Sequence, residues 1–64
     1  MIRVTLNQKS KQTKKHIEFT CIDLIDKGQY YVAFFDLNGW EHCIPKHNVK
    51  EIDWNFKLIK HISL

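Results

Sequence analysis

His42, Cys43 and His47 are of the residue types that ligate metals or pair as nucleophile and base. Structural zinc sites space their ligands as C-x₂₋₄-C or H-x₃₋₅-H, and among these residues only the His42 and His47 pair meets such a spacing. In a regular strand His42 and Cys43 point to opposite faces, so they diverge as metal ligands. They diverge equally as a Cys–His couple, whose members must come within hydrogen-bond reach. The expectation is no metal and no cofactor, with the imidazoles making ordinary hydrogen bonds at sheet edges. Asp23, Asp26, Asp36 and Glu41 fall near turns, where carboxylates are solvated, and give no acid/base couple. There is no phosphate-cradling loop and there are only two glycines, so the chain is expected not to be an enzyme.

Binding chemistry has more candidates. Lys9, Lys11, Lys14 and Lys15 fall in one short stretch without an acid. Residues 1–16 carry five basic side chains and no acid, whereas residues 17–64 carry five lysines against seven acids; the formal +3 is a basic end on a slightly acidic body. Such asymmetry points to an acidic or phosphate-bearing partner, although a lysine-rich loop also serves solubility alone. Of the eight aromatics, Phe19, Phe34, Phe35 and Phe56 are expected in the core and Trp40 packed on Leu37. Tyr30, Tyr31, Trp40 and Trp54 are the candidate stacking surfaces, and of these Tyr30 and Trp54 are the two expected to be exposed, suited to stacking or to anchoring an interface.

The elements that position these residues follow a period of two. Ile2, Val4 and Leu6 alternate with Arg3 and Thr5, a half-buried first strand, and Asn7 to Lys15 is expected as a polar loop. Ile17, Phe19 and Cys21 alternate, then the apolar phase shifts to Ile22, Leu24 and Ile25, as a β-bulge or sharp bend produces. A tight turn at Asp26-Lys27-Gly28-Gln29 leads to Gln29–Leu37, apolar on both faces like a central strand. Asn38-Gly39 reads as a two-residue hairpin turn, and the returning strand runs from Trp40 to Ile44 and stops at Pro45. Val49 and Ile52 allow one helical or 3₁₀ turn within His47 to Ile52, with Asn48 as its cap. Ile52, Trp54, Phe56 and Leu58 alternate as a last strand; residues 56–64 also fit a helical spacing, but their β-branched and aromatic content favours strand.

Two-residue turns would place Phe35 opposite His42, Ala33 opposite Ile44, and Asp36 opposite Glu41. Cys21, Phe34 and Cys43 would then form one row across three strands. The cysteines would stand about 9.5 Å apart, beyond disulfide reach, and read as free thiols filling small apolar sites in a reduced compartment.

Sixty-four residues hold one domain, 1–64, with a small core. No apolar run reaches the roughly 18 residues of a membrane span, and the N-terminus has no secretory apolar segment; a cytoplasmic location is expected. The fold class is all-β, a small five-stranded antiparallel barrel or curled sheet with one helical turn before the last strand. It resembles SH3-like or Sm-like barrels in shape alone, since no family motif is matched residue by residue. The function expected is a non-catalytic module, a stoichiometric adaptor or inhibitor of a protein or nucleoprotein assembly, of the kind that phages and mobile elements encode. Its contacts would be Lys9, Lys11, Lys14, Lys15, Tyr30 and Trp54. The alternative is a sequence-tolerant nucleic-acid-binding barrel, and homo-oligomerisation is compatible with either.

Overall fold

The computed structural model describes residues 1–36 and 38–57. Six strands run in the order β1 (Ile2–Lys9), β2 (His16–Cys21), β3 (Asp23–Asp26), β4 (Tyr30–Phe34), β5 (Glu41–Pro45) and β6 (Val49–Asp53), with a 3₁₀ turn at Lys46–Asn48. They form two three-stranded antiparallel sheets, ordered β2-β1-β6 and β3-β4-β5. The sheets meet at Ile22, a single bent residue between β2 and β3, where the apolar phase shifts in the sequence. Two ladders joined through a bend, rather than a continuous ring of backbone hydrogen bonds, are what the strand order defines.

β1 reaches Lys9, so the expected polar loop from Asn7 contracts to a hairpin tip. The extra residues are polar because they project beyond the core, yet Lys9 still pairs with His16. A register shift after Thr5 frees carbonyls that His16 recovers: its Nδ1 lies 2.9 Å from the Leu6 oxygen and 3.1 Å from that of Asn7. Two acceptors require Nδ1 to carry the proton. β1 is the central strand of its sheet, not an edge, because β6 pairs along its other side from Arg3↔Asp53 to Leu6↔Val49.

Both turns of the second sheet sit two residues away from the expected register, which keeps the side chains of β4 and β5 on their expected faces. The expected row of Cys21, Phe34 and Cys43 is lost: Phe34 lies between Asp23 and Glu41, and Cys21, beyond the bend at Ile22, joins Leu24, Ala33 and Ile44 in the core. Lys27 and Tyr30 close the first turn, with Gly28 at φ +95° and its amide donating to Asp26 Oδ1 at 2.8 Å. In the second, Phe35 N donates to the Trp40 oxygen at 2.9 Å, so the connection is longer than Asn38-Gly39. Asp36 causes this by accepting from Asn38 N and Trp40 N, an Asx-type closure that replaces the two-residue turn. Ala33 therefore faces His42, Val32 faces Cys43 and Glu41 faces Phe34. The expected pairing of Leu37 with Trp40 lies outside the described residues.

The 3₁₀ turn follows Pro45 directly, and Asn48 is its last residue rather than its cap. β6 begins at Val49 and ends at Asp53, earlier than the expected Ile52–Leu58, because Asp53 Oδ1 accepts from Asn55 N and turns the chain at Trp54. Phe56 and Lys57 follow outside regular structure, and the choice between strand and helix for 58–64 lies outside the described residues.

The core is aliphatic. Ile2, Val4, Cys21, Leu24, Ala33 and Ile44 form its buried cluster. The four phenylalanines expected there are all half-buried. Cys21 is a buried filler as expected, whereas Cys43 is exposed; both thiols are free. Burial pushes the Cys21 thiol above its usual value, and the Asp23 carboxylate adds to the rise.

Candidate functional site

The lysine hairpin is an ordered element. Ser10 N donates to the Lys15 oxygen at 2.8 Å and Lys14 N to the Ser10 oxygen at 2.9 Å, closing the tip. Ser10 Oγ accepts from the Gln12 and Thr13 amides, and Thr13 Oγ1 from Lys15 N. Lys14 adopts φ +62°, the left-handed region that costs a side-chain-bearing residue energy. Lys9, Lys11, Lys14 and Lys15 are all exposed on this hairpin.

Beside the hairpin stem lies a groove of about 370 Å³ between the two sheets. Leu6 and Gln8 of β1 and Ile17 and Phe19 of β2 form one wall. His42 to Pro45 of β5 form the other, with Phe35 and Asn48 at its margins. Because Ile17 and Phe19 face the groove, strand alternation turns Glu18 to the opposite face. Asn7 Nδ2 donates to the His47 carbonyl at 2.8 Å, holding β1 to the 3₁₀ turn at one end. At the other end three rings run in sequence from the groove to the surface. Phe19 and Phe35 lie 5.5 Å apart between centroids, and Phe35 and Trp40 meet edge-on at 6.0 Å.

Trp40 is 71% exposed, more than Tyr30 at 42% or Trp54 at 51%. Trp40 is in contact with Phe35, because the Asp36-closed loop pairs the two; the expected packing of Trp40 against Leu37 lies outside the described residues. Only the short Asp36-x-Asn-Gly spacing carried a signal of this: an acid two residues before the turn can capture its amides.

The expected contact residues do not form one patch. Trp54 follows Asp53, which pairs with Arg3 at the start of β1, whereas the lysines lie at its other end. Six residues of strand, about 20 Å, separate those ends. Arg3 sits over the Phe56 ring at 4.8 Å and 4.0 Å from Asp53, so the region beside Trp54 is held by its own pairing. Tyr30 opens β4 and pairs with Pro45, at the hairpin end of the groove.

His42 faces Ala33, Cys43 faces Val32, and His47 lies in the 3₁₀ turn. Among the described residues no group of three or more His, Cys, Asp or Glu side chains is placed to hold a metal ion. Nor is any helix there long and apolar enough to cross a membrane. Among the described residues the shorter ion pair is Lys46 Nζ to Asp26 Oδ1 at 2.8 Å, with the ammonium 5.0 Å above the Tyr31 ring. The Lys46 hydrogen bond, followed by the Gly28 amide, holds the Asp26 carboxyl below its ordinary value.

Comparison with protein-family models, with curated proteins and with solved structures finds no match.

Proposed function

We propose that this chain is a non-catalytic binding module that acts stoichiometrically on a larger protein or nucleoprotein assembly. The observation that carries this reading is the groove at the stem of the hairpin, apolar on its floor, with four exposed lysines on the hairpin beyond it. At about 370 Å³ it is at the small end of ligand sites and has room for one or two side chains. Trp40, anchored on Phe35 yet 71% exposed, has the amphipathic ring that interfaces favour. The bent strand shared by both sheets and the 3₁₀ turn before β6 support a small, partly open barrel of SH3-like form, with β2 and β3 as halves of one strand. Two free cysteines suit a reduced cytoplasmic setting, and the size and plainness of the chain suit an inhibitor carried by a phage or mobile element.

Direct nucleic-acid binding is the second reading, favoured by the lysine hairpin and the exposed aromatics. Four phosphate contacts would cost roughly a hundredfold in affinity between about 50 and 200 mM salt. A packed protein interface tolerates that change far better. The experiment is capture of partners from host lysate by tagged protein, in nuclease-treated and untreated halves, at both salt concentrations. A stoichiometric protein retained through nuclease and salt supports the first reading. Signal only in untreated, low-salt samples overturns it in favour of the second. Capture of nothing but the chain itself moves the assignment to homo-oligomerisation.

A further inference from the structure

One wall of the groove is β5, whose outer backbone edge has no strand partner among the described residues. β5 is an edge strand, and its backbone parity is fixed at both ends: Phe35 N reaches the Trp40 oxygen and Lys46 N reaches the Gln29 oxygen. Even-numbered residues of this segment therefore turn their amides and carbonyls towards β4. Glu41 and Cys43 turn theirs outwards, and among the described residues no strand pairs with that edge. Pro45, which has no N–H to offer, ends the edge and limits the open stretch to the few residues before it. An open, hydrogen-bonding edge alongside an apolar trench is the arrangement by which an added strand gains main-chain affinity and side-chain specificity together.

The two ends of the trench differ in chemistry. At the Glu41 end of β5 lie Phe19, Phe35 and the exposed Trp40. At the Pro45 end lie Gln8 and Ile17, the stem of a hairpin carrying Lys9, Lys11, Lys14 and Lys15 without an acid. Glu18, the nearest acid on β2, alternates with Ile17 and Phe19 onto the opposite face, and Lys9 alternates likewise with Gln8, which leaves Lys11, Lys14 and Lys15 at the hairpin tip as the cations for the trench.

Resting on the binding-module reading above, we propose that β5 accepts a short acidic segment of a partner protein as an added strand. Its backbone pairs with Glu41 and Cys43. One large apolar side chain enters the trench against Phe19 and Phe35, and its Asp or Glu residues reach the lysine hairpin. The occupant is a peptide rather than a nucleic acid because the open edge offers N–H and C=O groups alternating at strand spacing, which an added strand meets in register. The 370 Å³ trench has room for that side chain.

The test uses the intact protein and three fluorescein-labelled peptides. The first alternates Val and Glu around a central Phe, the second replaces its Glu by Lys, and the third keeps every side chain of the first but carries N-methyl groups on alternate amides. Binding is read by anisotropy, with oligo(dT) as the nucleic-acid control. In parallel, alkylation of Cys43 is followed by mass spectrometry, since it is the exposed thiol and Cys21 is buried.

The acidic peptide is expected to bind at least about tenfold more tightly than the lysine and N-methylated peptides and to slow Cys43 alkylation by a similar factor. Equal binding of the N-methylated peptide overturns strand addition, and equal binding of the lysine peptide overturns the acidic assignment. Binding without protection of Cys43 overturns the location, as does preference for oligo(dT). A lysate partner captured as above but indifferent to prior alkylation of Cys43 leaves the binding-module reading standing while this inference fails. Failure of every peptide together with an empty capture removes both.

Discussion

Asn7 and His47, forty residues apart, are joined by one hydrogen bond: the Asn7 amide Nδ2 donates to the His47 carbonyl at 2.8 Å. It ties the central strand of one sheet to the 3₁₀ turn that leaves the other, where Leu6 and Asn48 border the groove. Because the bond is exposed, Asn7→Ala is expected to cost no more than about 0.5–1.5 kcal/mol. Urea unfolding measures that loss, and weaker binding of a groove ligand should accompany it.

Trp40 and Ile44 should separate stability from binding. Trp40 is 71% exposed, so Trp40→Ala is expected to shift unfolding free energy by less than about 0.5 kcal/mol while sharply weakening partner binding. Ile44 is 2% exposed in the aliphatic core, and Ile44→Ala should cost about 2–5 kcal/mol. For a chain this small that is a large share of its total stability. Denaturant melts and a binding titration on both variants decide the matter.

Asp26 should report acid sensitivity at the first turn of the second sheet. Its folded carboxyl lies below its ordinary value because Lys46, then the Gly28 amide, stabilise the charged form. The stabilising contribution is thus complete above the ordinary aspartate value of about 4 and is lost as pH falls through the lower folded value. Carboxyl NMR titration should show Asp26 rising towards its ordinary value in Lys46→Met.

The two thiols should behave oppositely. At neutral pH Cys43 is expected to react with iodoacetamide while Cys21 stays protected until the chain unfolds, since burial and Asp23 keep its thiol neutral. Replacing Cys21 by Ser buries a hydroxyl in the apolar cluster and should cost about 1–3 kcal/mol. Cys43→Ser should be nearly silent in stability. Mass spectrometry and thermal melts test the pair.

Lys14 carries backbone strain at the hairpin tip. Lys14→Gly should preserve or raise stability, whereas Lys14→Val, β-branched at φ +62°, should lower it by about 1–3 kcal/mol. If both variants melt alike, the left-handed conformation at Lys14 is not present in solution.

The alternation of Ile2, Val4, Ile17, Phe19 and Cys21 located β1 and β2, and the phase break at Ile22 located the bend, because side-chain period and burial are local properties. Three features depended on side-chain capture of backbone groups, which periodicity does not register. Asp36 lengthened the second hairpin and exposed Trp40, His16 extended the first, and Asp53 ended β6 early. The lysine hairpin was visible as charge, but the groove beside it was not. It needs Leu6, Phe19, Phe35 and Ile44 from four separate parts of the chain to meet. The separation of Trp54 from the lysines likewise follows from β6 lying along β1, a pairing no local pattern encodes.

The two sheets also differ in when they can exist. β3, β4 and β5 follow one another along the chain and are linked by hairpins, so their sheet can assemble on the ribosome as soon as Pro45 has emerged. The other sheet cannot finish, because β1 waits for β6, nearly fifty residues later, to cover its second edge. Until then Val4 and Ile2 sit on a two-stranded hairpin too small to be stable alone. The wall of the groove built from β1 and β2 is therefore the last to set, and the nascent chain is expected to lack its binding surface until translation has passed Asp53.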